Sequence, residues 1–146
     1  MLGQYRIISE ILIFALGLAI ATFVVITFSG LRDSISEIST QDQMNSISNL
    51  ISTSLIKAMD DGTIIRVRIP DTISGEVYTM TFQRVNDDPC ILGDCILKLS
   101  TVETGITTTQ QLFNISQTHI INGNVFSTSR YIEIRTVGNQ ITVRRA

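Results

Sequence analysis

Residues 4–34 read QYRIISEILIFALGLAIATFVVITFSGLRDS, and the rest of the chain is understood through them. From Ile11 to Leu31 the run holds 21 residues without a single charge. A bilayer core is crossed by about 20 apolar residues in a helix. A cleavable secretory signal fits less well, because its apolar region is about 7–15 residues long and follows a basic stretch. Here only Arg6 precedes the run, and TFSGLRDS (27–34) offers no A-x-A cleavage pattern. The segment is therefore expected to stay in the mature protein. The flanking charges do not orient it, since Arg6 is offset by Glu10 and Arg32 by Asp33.

Moving outward, RDSISEISTQDQMNSISNLISTSLIKAM (32–59) contains neither Pro nor Gly. The expectation is one helix from about Ile7 to Met59, ending at Asp60-Asp61-Gly62, with Gly62 as a left-handed cap. In its second half, Leu31, Ile35 and Ile38 share a face at about 100° per residue, while Ile47 and Ile51 point nearly the opposite way. Leu50, Leu55 and Ile56 fill other directions. One core would call for one stripe, and a two-stranded coiled coil for one heptad seam. Apolar residues pointing several ways imply several neighbours. The nine Ser and Thr residues of Ser34–Ser54 would allow close helix approach. The alternative is a polar stalk.

After Gly62 the period changes to two. TIIRVRIP (63–70) puts Ile65, Val67 and Ile69 on one face and Arg66 and Arg68 on the other. EVYTMTFQRV (76–85) and CILKLST (95–101) read as further strands, with ISG (73–75) in a turn. LFNIS (112–116) and HIINGNVFS (119–127) are weaker strand candidates, and TVETGITTTQQ (101–111) is a loop or a poor edge strand. RYIEIRTVGNQITVRR (130–145) reads as a hairpin turning at Gly138-Asn139. The fold class is α+β: a long N-terminal helix, residues 1–60, and a small antiparallel, sandwich-like head, residues 61–146.

The chain carries no recognisable catalytic constellation. Charged residues make up 16%, against about 25% in ordinary soluble domains. Net charge is −2, with no basic excess, so nucleic acid is not the favoured partner. Cys90 and Cys95, in PCILGDC (89–95), are the only cysteines and His119 the only histidine. A four-ligand Cys/His zinc site is therefore excluded, as are CxxC redox and CxxCH haem motifs. A local Cys90–Cys95 disulfide is expected, placing the C-terminal part outside the cytoplasm; two free thiols are the alternative. Asp60-Asp61, Asp87-Asp88 and Asp94 lack the spacing of a calcium loop and read as solvated turn residues. No metal and no cofactor is expected. NIS at Asn114 is an N-glycosylation sequon. Glu10 suits the first turns of a helix and can pair with Arg6, or, in a polymer, with Arg6 or the terminal amine of a neighbour.

RIISEILIFALGLAIATFVV (6–25) resembles the N-terminus of archaeal type IV pilin-like proteins, with Ser9-Glu10-Ile11 at the matching position. The resemblance implies a precursor with a short basic leader removed by a prepilin peptidase. Only MLGQYR precedes Ile7 here, which leaves the cleavage point unassigned. It further implies single-pass membrane residence, then extraction by an assembly ATPase and platform proteins into a helical homopolymer outside the cell, used for adhesion or surface attachment. Subunit contacts are then expected at Glu10, Ile13, Phe14, Leu16, Leu18, Ile20, Phe23, Val24, Ile26, Phe28, Leu31, Ile35, Ile38, Ile47 and Ile51. The alternatives are an archaellum filament subunit, or a membrane-anchored accessory protein with a β-sandwich head of the archaellum stator type. A membrane-tethered enzyme is disfavoured by the missing constellation.

Overall fold

The structure, a computed structural model, describes residues 2–146, with residues 2–6 and 33 described by their backbone alone. It is α+β, as the two hydropathy periods require. Helix α1 runs Leu2–Lys57. Strands β1 (Ile64–Arg68), β2 (Tyr78–Gln83), β3 (Ile96–Thr101) and β4 (Thr107–Gln111) follow. A short helix α2 (Phe113–Ser116) precedes β5 (Ile120–Asn122), β6 (Asn124–Phe126), β7 (Tyr131–Val137) and β8 (Gln140–Arg145). LFNIS, expected as a weak strand, is thus a single helical turn. Ile115 and Ser116 are buried while Phe113 and Asn114 face solvent, a spacing that suits a helix better than a pleat.

The strands form two four-stranded sheets, ordered β1-β7-β8-β5 and β4-β3-β2-β6. All neighbours are antiparallel except β5 and β8, which run parallel. The Thr-rich β4 is the edge strand foreseen as one of two readings. Gly138 begins the β7–β8 turn at φ 55°, a backbone state glycine enters without steric penalty. Gly123 sits where the chain leaves β5 in one sheet and enters β6 in the other. A Cβ there would lie 2.4 Å from the Val143 carbonyl oxygen, so only glycine fits this crossing.

By contacts the chain divides into residues 1–37 and residues 38–146, not at residue 60. The cause is a stripe along the last four turns of α1 that ends at Ala58, just past it. Met44, Ile47, Ile51, Leu55 and Ala58 recur at intervals of three and four and are buried in the core of the β-rich head. There they join inward residues of both sheets, such as Val67, Ile132 and Ile134 from one and Tyr78, Met80 and Leu97 from the other. Burying each such side chain contributes about 1.5–3 kcal/mol as an upper figure. Ile47 is 5% and Ile51 0% exposed. Their expected place at a subunit interface is therefore corrected: they pack within their own chain. Gly62 does take a left-handed φ of 77°, but in the turn after the helix, where its N–H donates to the Thr136 carbonyl.

Candidate functional site

The apolar segment of residues 7–31 is the most unusual surface of the chain. Its large side chains lie on all sides of the helix, and none is covered: exposure runs from 43% at Val24 to 71% at Phe14 and Phe23. A helix apolar around its whole circumference belongs in lipid or among other helices. By length and composition α1 is the one helix among the described residues able to cross a membrane. Ile13, Leu16, Leu18, Ile20, Ile26, Phe28, Leu31, Ile35 and Ile38 are all exposed, as a contact surface for other molecules requires. Glu10 is exposed as well. Its expected pairing with Arg6 or the terminal amine lies outside the described residues, as does the compensation of Arg32 by Asp33.

Four hydroxyls in and just after this segment are satisfied locally. The Thr22 hydroxyl donates to the Leu18 carbonyl (2.8 Å), Thr27 to Phe23 (2.8 Å), Ser29 to Val25 (2.9 Å) and Ser34 to Gly30 (3.1 Å). Each of the four reaches back four residues, so it presents no unmet donor to an apolar neighbour. The sequence reading took Ser34 as a small spacer and gave Thr22, Thr27 and Ser29 no role, so it missed the back-bonding, although the i−4 geometry is implicit in any Ser or Thr on a helix.

On residues 38–57 of α1 the face away from the core stripe is mostly small and polar, with Ile38, Leu50 and Ile56 exposed. The core side is pinned by polar ties as well. Thr40 Oγ1 lies 2.8 Å from Ser74 Oγ, and the Ser74 N–H donates to Gln43 Oε1 at 3.2 Å. The Ser48 hydroxyl donates to Gln110 Oε1, and Gln110 Nε2 donates to Asn49 Oδ1 at 3.3 Å. At the helix end the buried Thr136 hydroxyl donates to the Ala58 carbonyl.

Cys90 and Cys95 form a disulfide, with Cα atoms 4.9 Å apart and both side chains buried. The loop it closes is held by the Gly93 N–H donating to the Ser116 carbonyl (2.7 Å) and by Arg84 Nε donating to Asp94 (2.8 Å). That Asp94 contact raises the Arg84 guanidinium's pKa further above its ordinary value. Burial, with Asp71 nearby, likewise pushes the Tyr78 phenol upward; its hydroxyl donates to the Pro70 carbonyl at 2.9 Å. Asn114 is exposed on α2, whereas Ser116, the third residue of the sequon, is completely buried. His119 Nδ1 is 2.8 Å from the Thr118 hydroxyl. Among the described residues no group of three His, Cys, Asp or Glu side chains is placed to hold a metal. No protein family, curated protein or solved structure matches this chain.

Proposed function

We propose that this chain is the structural subunit of an extracellular filament of the type IV pilus kind, held in the membrane by α1 before assembly. One observation carries the reading. A segment apolar on every side and uncovered by its own chain continues, in the same helix, into a stripe that anchors a disulfide-bonded β head. In lipid the segment satisfies its own backbone groups. In a filament the same side chains bury against copies of themselves, and the back-bonded hydroxyls allow either environment. Exchange between two apolar surroundings is nearly balanced in free energy, so assembly and extraction need only a modest bias. Repeated head-to-tail contacts that do not close would give an open helix. Adhesion or surface attachment is the use that such a polymer serves without an active site, and processing by a prepilin peptidase and extrusion by an assembly motor belong to the same reading.

The membrane-anchored accessory protein is the second reading. It is favoured by the core stripe, because Ile47 and Ile51 are satisfied within the chain and need no neighbour. Against it stand Ile35, Ile38 and Ile56, left exposed beyond the uncharged run. The deciding experiment is negative-stain microscopy of material sheared from cells, with mass-spectrometric identification of the filament protein. Filaments containing this chain are expected. A chain that stays wholly in the membrane fraction as a monomer would remove the polymer reading and leave the anchor.

A further inference from the structure

The outer face of the β1-β7-β8-β5 sheet gathers cationic side chains. Arg66 and Arg68 of β1, Arg135 of β7 and Arg144 of β8 alternate with the buried core residues and are all exposed. Cross-strand register sets Arg66 opposite Glu133, and Glu133 opposite Arg144. Glu133 is the one acid among them, and it is spent internally: Arg144 lies at 2.6 Å and Arg66 at 3.9 Å, leaving its side chain 11% exposed. Arg130 borders the same face and pairs with Asp71 at 3.1 Å. Arg68 and Arg135 form no ion pair among the described residues. Five of the chain's 11 basic residues thus meet only two of its 13 acids here, while the chain as a whole is net acidic at −2. The cations are segregated onto one surface.

The face is also shaped. A shallow groove of about 250 Å³ runs between Arg135 and Arg144 and is floored by Val137, Gln140 and Thr142. A second, of about 570 Å³, lies beside this face past the end of β1, lined by Arg68, Arg130 and the Asp71 that Arg130 pairs with. Strands are about 4.8 Å apart and alternate residues about 7 Å along a strand, so the guanidinium groups form a two-dimensional grid, not a single row.

We propose that this sheet face binds an acidic polysaccharide. Guanidinium groups accept carboxylate or sulfate oxygens in bidentate geometry. Gln140, Thr142 and Asn122 supply both donors and acceptors, which sugar hydroxyls need and a phosphate backbone uses only in part. The half-exposed Tyr131 gives an aromatic surface for a sugar ring. A flat sheet has no helix or ribbon to enter the major groove of a duplex, and Tyr131 is the only aromatic side chain on the face for unpaired bases. A lipid surface would favour apolar side chains at the centre of the face, where Arg66, Glu133 and Arg144 stand. The proposal does not rest on polymerisation. In a filament, however, each weak site would repeat along the polymer and gain by avidity.

The test uses the full chain in a non-ionic detergent, so filament formation plays no part. Binding to immobilised polygalacturonate, neutral dextran, duplex DNA and phosphatidylglycerol vesicles is measured from 50 to 500 mM salt. Polygalacturonate should bind at low salt and elute as salt rises, and dextran should not bind. Arg68→Gln with Arg135→Gln should weaken binding at least tenfold and lower the slope of log affinity against log salt, because fewer counterions are released. These two arginines hold no acid, so melting temperature and circular dichroism should be unchanged. Lys57→Gln, a cation removed outside this sheet face, should leave binding intact. Affinity unchanged in the double variant, or no polygalacturonate binding at 50 mM salt, overturns the proposal. Tighter binding to DNA or to the vesicles than to the polysaccharide overturns it in favour of that ligand.

Discussion

Thr40 on α1 and Ser74 in the turn before β2 share a hydrogen bond of 2.8 Å across 34 positions of sequence. Ser74 holds a left-handed φ of 50°, which a non-glycine residue adopts only when its surroundings fix it. The bond marks the start of the stretch over which the helix belongs to the head. After it in sequence comes the stripe Met44, Ile47, Ile51, Leu55, and before it the exposed apolar segment. Substitutions on the two sides should therefore have different consequences.

Ile47→Asp with Ile51→Asp places two carboxylates in a closed core and should unfold the head, detected as loss of cooperative melting in detergent. The milder Ile51→Ala should cost about 2–5 kcal/mol. Ile35→Asp with Ile38→Asp changes residues that lie outside the core and are mostly exposed. It should leave melting and membrane insertion unaltered while abolishing filaments seen by microscopy. Normal filaments from this second pair would count against the polymer.

Removing the disulfide with Cys90→Ser and Cys95→Ser should lower stability by about 2 kcal/mol, the loop-closure figure for so short a ring. Intact mass without reductant should be lower than the reduced mass by two hydrogen atoms. Because both sulfurs are buried, alkylation after reduction should proceed slowly until the head is denatured.

Thr136→Val keeps the shape of a fully buried side chain but deletes the hydroxyl that serves the Ala58 carbonyl. The loss should be about 1–3 kcal/mol, since the carbonyl at the helix end is left unmet. Denaturant titration followed by circular dichroism would read it. Thr136→Ser should recover most of the deficit.

Gly123→Ala forces a methyl group against the Val143 backbone, which cannot move aside as a flexible side chain would. Destabilisation of roughly 1–3 kcal/mol or more is expected. Gly17→Ala, where nothing lies within 4 Å, should leave the head's melting temperature where it was.

Much of this was legible in the sequence because it is local. Alternation in TIIRVRIP placed Val67 and Ile69 inward and Arg66 and Arg68 outward, and Gly138-Asn139 marked the hairpin. The uncharged run Ile11–Leu31 declared its own chemistry. The stripe through Ile47 and Ile51 was misread for a physical reason. It was compared with Leu31, Ile35 and Ile38 as if one helix had one environment, when the helix crosses from one to another. Taken alone, positions 44, 47, 51, 55 and 58 show a clean helical face. The parallel β5–β8 pair joins strands well separated in sequence, which no local pattern records. The cationic sheet face was equally hidden, because its arginines come from three strands and gather only once the register is set.

The pairing of β1 with β7 also sets an order of events during synthesis. The hydrophobic run is made well before the head is complete, but β1 finds its neighbour β7 at residues 131–137. Until residues 131–137 are made, the stripe from Met44 to Ala58 has only the β4-β3-β2-β6 sheet to pack against, and the other side of its core is missing. The growing chain therefore carries part of that greasy strip open, a period in which a chaperone has to stand in for the missing sheet.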